Sequence, residues 1–231
     1  MGSRAMGDIV LITGGSRSGK SALAQHLAEA LPGPRTFVAT CSVGDDTEMT
    51  ERLRRHREAR AGAGWASLEE PLEVAAALRR VPEAGVRLVD CLTLWVSNLM
   101  WRAVQQAEGA AAGAAGVAGA AAADALAGPF TEDDVSAACG ALVAASRQVS
   151  GVSLFVTNEV GLGVVPENAV ARRYRDLVGR CNQIVAAASD VVVLTVCGLP
   201  LVVKGADHPL GSLAAALPYP GTRATGDRPT C

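Results

Sequence analysis

Aromatic side chains are scarce in this chain, at 3% of its residues. A base-stacking platform for single-stranded nucleic acid is therefore not expected. Excess positive charge is lacking too: 21 Lys and Arg stand against 23 Asp and Glu, a net charge of −2. That balance argues against a nucleic-acid partner. No apolar run reaches the roughly 20 residues a membrane helix needs. The long Ala/Gly run after residue 109 is too small-sided and too rich in glycine to be one. The six cysteines form no CxxC pair and do not cluster with His, so neither a zinc site nor a redox motif is indicated. With no signal-peptide pattern ahead of the first apolar run, buried thiols in a reducing cytoplasm are expected.

Lysine is nearly missing as well. Only Lys20 and Lys204 accompany 19 arginines. A chain biased this far toward Arg retains Lys where a compact ammonium on a flexible stem is required, as in a phosphate loop.

What is present is an alternation of short apolar runs and helical stretches. Strands are predicted at Asp8–Thr13, Thr36–Thr40, Val86–Leu92, Ser153–Thr157 and Val191–Val196, with a sixth at Leu201–Lys204. Helices are predicted over Ser21–Leu31 and from Asp45/Asp46 to Arg60. Further helices run from Pro71 to Arg80, from a Thr131/Asp134 cap to Val149, and from Pro166 onward. The last carries an apolar stripe, Val170, Tyr174, Leu177, Cys181 and Ile184, with Arg172, Arg175, Asp176, Gly179, Asn182 and Gln183 on the other face. Residues 103–128 read as a low-complexity Ala/Gly insertion, and 205–231 as a loose Pro/Gly-rich segment. Continuous apolar strands alternating with helices predict an α/β fold of the P-loop NTPase kind. One domain over 8–204 would hold a mostly parallel central sheet with helices on both faces. Ligands should gather at the C-terminal ends of its strands.

Chemistry concentrates in Gly14, Gly15, Ser16, Arg17, Ser18, Gly19, Lys20 and Ser21. They match GxxxxGK[ST] between a strand and a helix. Glycines let backbone N–H groups curl around phosphate oxygens, and the helix N-terminus adds positive potential. Lys20 would reach the β- and γ-phosphates and Ser21 would ligate Mg²⁺. The bland alternative is a glycine-rich strand-to-helix turn. Asp90 closes an apolar strand, where a carboxylate supporting Mg²⁺ belongs; it would equally serve as the N-cap of the next helix. His56 lies between Arg52 and Arg60, one turn to either side on one helix face. A basic face around an imidazole suits a polyphosphate, and it also suits plain solvent. Thr157–Gly163 places polar residues and glycines after a strand, as a site or any turn would.

These pieces together resemble one family. Gly14–Ser21, Ala39-Thr40, the run from Glu48 to His56, Trp65 with Glu69, Val89–Thr93, and Asn158–Asn168 followed by Arg172, Arg175, Asp176, Gly179, Asn182 and Gln183 occur in order. The chain is similar over about residues 8–204 to the bifunctional adenosylcobinamide kinases/adenosylcobinamide-phosphate guanylyltransferases of cobalamin biosynthesis. The resemblance implies phosphorylation of adenosylcobinamide with ATP or GTP. It implies next a transfer of GMP from GTP to the product, through a guanylylated histidine. His56 and Lys20 would then be catalytic. The nucleotide site would comprise the phosphate loop with Ala39, Thr40, Cys41, Arg57, Glu58, Ala59, Arg60, Glu69 and Asp90, and Mg²⁺ would sit on Ser21 and Asp90. The family pattern also implies a homo-oligomer, often a trimer. Two departures stand out: Arg55 precedes His56 where some members carry a second histidine, and Cys41 stands where some carry Ser. Two other readings share the phosphate loop alone: a kinase of another small molecule, and a non-catalytic nucleotide switch. The lack of an NKxD motif speaks against the switch.

Overall fold

The structure, a computed structural model, describes residues 6–41, 64–81, 84–112 and 129–217. Its elements in chain order are β1 (Asp8–Gly14), α1 (Lys20–Glu29), β2 (Arg35–Ala39), β3 (Trp65–Glu69), α2 (Val74–Arg80), β4 (Gly85–Asp90), α3 (Leu92–Ala112), α4 (Glu132–Gln148) and β5 (Gly151–Val156). A 3₁₀ turn at Val160–Leu162 then leads to α5 (Ala169–Ala188), β6 (Val191–Val196), β7 (Leu199–Lys204) and α6 (Pro209–Ala216). The predicted helix from Asp45/Asp46 to Arg60 lies outside the described residues, as do residues 113–128 of the Ala/Gly insertion.

Seven strands form one sheet in the order β3-β2-β4-β5-β1-β6-β7. Every pairing is parallel except that of β6 with β7. The inner strands are apolar on both faces because both faces are covered. Ile9 and Leu11 of β1 point into the core shared with α2, α3, α4 and α5. Val10 and Ile12, one residue out of phase, point to the opposite core with α1 and α6.

The predicted pattern is observed with corrections. Trp65–Glu69 is a strand missed in the sequence. It is an edge strand with only partial burial, so it lacks the apolar run that marks the others. Leu92 belongs to α3 rather than to the preceding strand. Neither proline begins a helix where expected. After Pro71, the Glu70 carboxylate accepts from the N–H groups of Leu72 and Glu73, making a turn before α2 opens at Val74. Past Pro166, α5 waits for Asn168, whose side chain accepts from Ala171 N–H at 2.9 Å. The Thr131/Asp134 capping box forms as read. The segment from 205 is not loose throughout. Pro209 occupies the first helical turn, where its missing N–H costs nothing, and Leu210 and Ala214 of α6 are buried in the core that α1 shares.

Asn182 is the clearest reassignment of a face. The sequence placed it opposite the apolar stripe, yet it is only 8% exposed. Hydrogen bonds to the end of β5 offset its burial, as the site below shows. The antiparallel edge keeps Val196, Leu199, Leu201 and Val203 exposed. Cys139 and Cys181 are buried, and a hydrogen bond to Cys139 together with burial pushes the Cys181 thiol well up, leaving it unreactive.

Candidate active site

Register fixes where the candidate residues meet. In the β3–β2–β4 ladder Glu69 stands beside Ala39, and Ala39 beside Asp90. Asp90 in turn stands beside Val156 of β5, which pairs with Ile12 of β1. The last residues of these strands form one row along the C-terminal edge of the sheet, and the phosphate loop rises beside it from the end of β1.

The loop Gly15–Gly19 joins β1 to α1. Gly14 has no room for a side chain: a Cβ there would lie 2.5 Å from Thr195 O and 2.7 Å from Ser18 Oγ. Gly19, with φ of 95°, takes a left-handed conformation at the helix N-cap that L side chains rarely adopt. Arg17 also has positive φ. Lys20 is 8% exposed and donates to Gly15 O at 3.1 Å, so its ammonium folds over its own loop. Ser16 is exposed, while Ser21 is half-buried in the first turn of α1. Ser18 ties the loop to the β6–β7 turn, its carbonyl accepting from Gly198 N–H at 2.8 Å.

At the end of β2, Thr40 is fully buried. Its hydroxyl donates to Cys91 O and accepts from Cys91 N–H, both at 2.8 Å, and its carbonyl accepts from Asn98 of α3 at 2.7 Å. Thr40 thus clamps β2 to the segment after β4, and Cys41 follows it half-buried. Trp95 N–H donates to Cys91 O, the first bond of α3. By its backbone Cys91, rather than Asp90, is therefore the N-cap residue of α3. Burial first, then the Asp90 charge, pushes the Cys91 thiol up, against hydrogen bonds with Thr93 and Leu94 that pull it down.

One further constellation was only half legible. Glu159 N–H donates to Gly14 O at 3.2 Å, and the Glu159 carboxylate accepts from the Thr13 hydroxyl. Asn182 reaches in from α5. It accepts from Thr157 Oγ1 at 2.6 Å and donates to Asn158 O at 3.0 Å. Asn158 donates to Thr93 Oγ1 at 3.4 Å, and Tyr174 donates to Thr93 O at 3.1 Å. Burial, then the charge of Cys91, pushes the Tyr174 phenol up to about 12, so it remains a donor. The polar turn after β5 hinted at Glu159; Asn182 stood out only as part of the polar helix face and of the family pattern, and Tyr174 only as part of the apolar stripe. His56, Arg57, Glu58, Ala59 and Arg60 lie outside the described residues.

Ser21 and Asp90 supply hydroxyl and carboxylate oxygens, hard donors that suit Mg²⁺. No cluster of three or more His, Cys, Asp or Glu able to hold a metal occurs among the described residues.

A parallel sheet, a glycine loop between β1 and α1, and a buried lysine over that loop define the α/β nucleotide-binding class of P-loop folds. A solved ATPase from the type III secretion system of pathogenic bacteria shares this architecture. Its TM-score is 0.52 at 12% identity, over 91% of this chain and 62% of that one, a likeness of fold alone. The chain belongs to the cobinamide kinase/cobinamide phosphate guanyltransferase family, whose model matches residues 10–203. The bifunctional adenosylcobalamin biosynthesis protein CobP of Pseudomonas aeruginosa is 39% identical over 84% of this chain and 96% of its own length. The CobU proteins of the same description from Salmonella typhimurium and Escherichia coli are 35% and 34% identical, each over 85% of this chain and 99% of their own.

Proposed function

We propose that this protein phosphorylates adenosylcobinamide with ATP or GTP and then transfers GMP from GTP to the resulting phosphate. The products of the second step are adenosylcobinamide-GDP and pyrophosphate. The family match over residues 10–203 carries this reading. The strand–loop–helix setting of Gly14–Ser21 and the row of Glu69, Ala39 and Asp90 at the C-terminal edge of the sheet support it.

In the kinase step the aminopropanol hydroxyl oxygen attacks the γ-phosphorus, its proton leaves, and ADP or GDP departs. Such a transfer is mainly positioning and electrostatics. The loop amides and Lys20 hold the β- and γ-phosphates, with Ala39, Thr40, Cys41, Arg57, Glu58, Ala59, Arg60, Glu69 and Asp90 around the nucleotide. Bound at Ser21 and Asp90, Mg²⁺ would neutralise phosphate charge. In guanylyl transfer a neutral His56 imidazole nitrogen attacks the α-phosphorus and pyrophosphate leaves. An oxygen of the corrinoid phosphate then attacks that phosphorus, the N–P bond breaks and His56 is restored. The protein would work in the cytoplasm as a homo-oligomer, a trimer by family pattern, which light scattering would test; among the described residues no helix is long and apolar enough to cross a membrane.

The test uses GTP labelled at the α-phosphorus. An acid-labile label on His56, mapped by peptide mass spectrometry, is expected. His56→Ala should lose guanylyl transfer and retain phosphorylation of adenosylcobinamide. Label on another residue, or full guanylyl transfer by His56→Ala, would remove His56 from the mechanism.

A further inference from the structure

An open groove of about 430 Å³ lies between α3 and the start of α5. Met100, Trp101 and Val104 form one wall, and Val170, Ala171 and Tyr174 the other. Spacings of three and four along each helix put these side chains on facing surfaces. The lining is mainly apolar, and Trp101 stays 58% exposed beside it, an aromatic face available for stacking. Two amides stand at the rim. Asn98 spends both N–H donors on Thr40 O and Pro71 O, which leaves its Oδ1 as an acceptor. Asn168 spends its Oδ1 on Ala171 N–H, which leaves its Nδ2 as a donor.

We infer that this groove is the seat of the corrinoid macrocycle, a second substrate subsite distinct from the phosphate loop. The inference rests on the proposed reaction. Its chemistry fits: a corrin offers broad apolar faces to Trp101 and the aliphatic walls, and carboxamide arms at its rim to the acceptor of Asn98 and the donor of Asn168. The half-open shape takes one edge of a large ring and leaves the rest in water. Its placement fits as well. Each wall is hydrogen-bonded to the strand-end row, α3 through Asn98 and Thr40, α5 through Tyr174, Thr93 and Asn158. A macrocycle held here has its flexible aminopropanol arm beside the C-terminal edge, where the triphosphate is to be attacked. Asn98 serves both substrates, since the amide at the groove rim also holds the end of β2.

The experiment titrates the whole protein with cobinamide in the absence of nucleotide, following tryptophan fluorescence and the visible absorbance of the corrinoid. GTP affinity and thermal midpoint are measured in parallel. Trp101→Ala removes the stacking face from an exposed position, and Ala171→Trp fills the groove from the opposite wall. Both should weaken cobinamide binding by about tenfold or more, while GTP affinity stays unchanged. Folded variants that bind cobinamide as tightly as the parent would overturn the groove assignment and leave the proposed reaction intact. A parent protein that takes up label from GTP but neither binds nor phosphorylates cobinamide would overturn both.

Discussion

The two ends of the parallel sheet differ in where their polar side chains find partners. Near the N-terminal end two arginines tie several elements together. Arg147 of α4 grips Asp190 with two bonds, 2.7 and 3.0 Å, and also donates to Gly7 O and Ala188 O. Asp190 accepts from Ile9 N–H at 2.8 Å, so one ion pair joins β1, α4 and the segment before β6. Arg35 donates to the carbonyls of Ala28, Glu29 and Leu31, closing the C-terminus of α1 with a cation where the helix dipole favours one. At the C-terminal end Ser18 Oγ, Asn158 Oδ1 and Thr195 Oγ1 are buried with no hydrogen-bond partner. All three flank the phosphate loop, since Thr195 pairs with Gly14 and Asn158 adjoins Glu159. Buried polar atoms are normally satisfied, and leaving one unmet costs about 1–3 kcal/mol. The N-terminal end thus carries an ion pair and a closed helix C-terminus, although Ser153 Oγ in the first half of β5 is also without a hydrogen-bond partner, whereas three such atoms gather around the phosphate loop.

The comparison is broken most sharply at Lys20. Lys20→Ala should lower turnover of both reactions by about 100-fold or more if, as proposed, the ammonium acts on phosphate in a shielded site. Steady-state rates and GTP affinity measure this, and near-parental values for both would dissociate the loop from the chemistry.

Next comes Asn182, which holds the strand-end turn without belonging to the loop. Asn182→Ala strips partners from Thr157 and Asn158 and should cost about 2 kcal/mol of stability. Turnover at saturating substrate should fall less than in Lys20→Ala. Chemical denaturation beside kinetics separates the two effects.

At the opposite end Arg147→Ala should destabilise by about 2 kcal/mol with turnover per folded molecule unchanged. The pair is about a quarter exposed, which puts it below a fully buried one. Its pH dependence has a definite sign. Burial raises the Asp190 pKa, but the hydrogen bonds from Arg147 and Ile9 and the Arg147 charge outweigh it, and the net shift is downward from 3.8. A depressed carboxylate pKa contributes stability above its unfolded value and loses it as pH falls through the folded one. The gap in thermal midpoint between parent and Arg147→Ala should therefore be steady at neutral pH and narrow below about pH 3.8. A gap that widens in acid would contradict the assignment.

The smallest effect belongs to the Ala/Gly insertion. The Ala/Gly composition first suggested that it began near residue 103, yet α3 is helical to Ala112, and Arg173 of α5 grips the Phe130 carbonyl where the chain returns. Replacing residues 113–128 by a short Gly/Ser linker should leave both activities within about twofold. A large loss in a folded variant would give this stretch a part in the site.

Much of this was legible before any coordinates. The loop from Gly14 to Ser21, the strand before it, the helix after it and the parallel α/β class follow from local rules. Apolar runs, helical periods and glycines at a tight turn act within a few residues of one another. Even so, Trp65–Glu69 escaped notice because an edge strand needs apolar residues on little of its surface. The stretch from 205 was read as loose because the helix-starting role of Pro209 shows only once Leu210 and Ala214 have a core to pack in.

By itself the sequence determined which segments would be strands and helices at the heart of the fold, and that a phosphate loop would crown the first of them. Only the tertiary structure decided that β3, β2 and β4 lie side by side with Glu69, Ala39 and Asp90 in one row. It also decided that Asn182 turns inward, and that α3 and α5 part to leave a groove. The reason is one of range. Strand order, register and the facing of a polar residue are set by contacts between segments distant in the chain, where a buried amide is favourable only if its partners arrive from elsewhere.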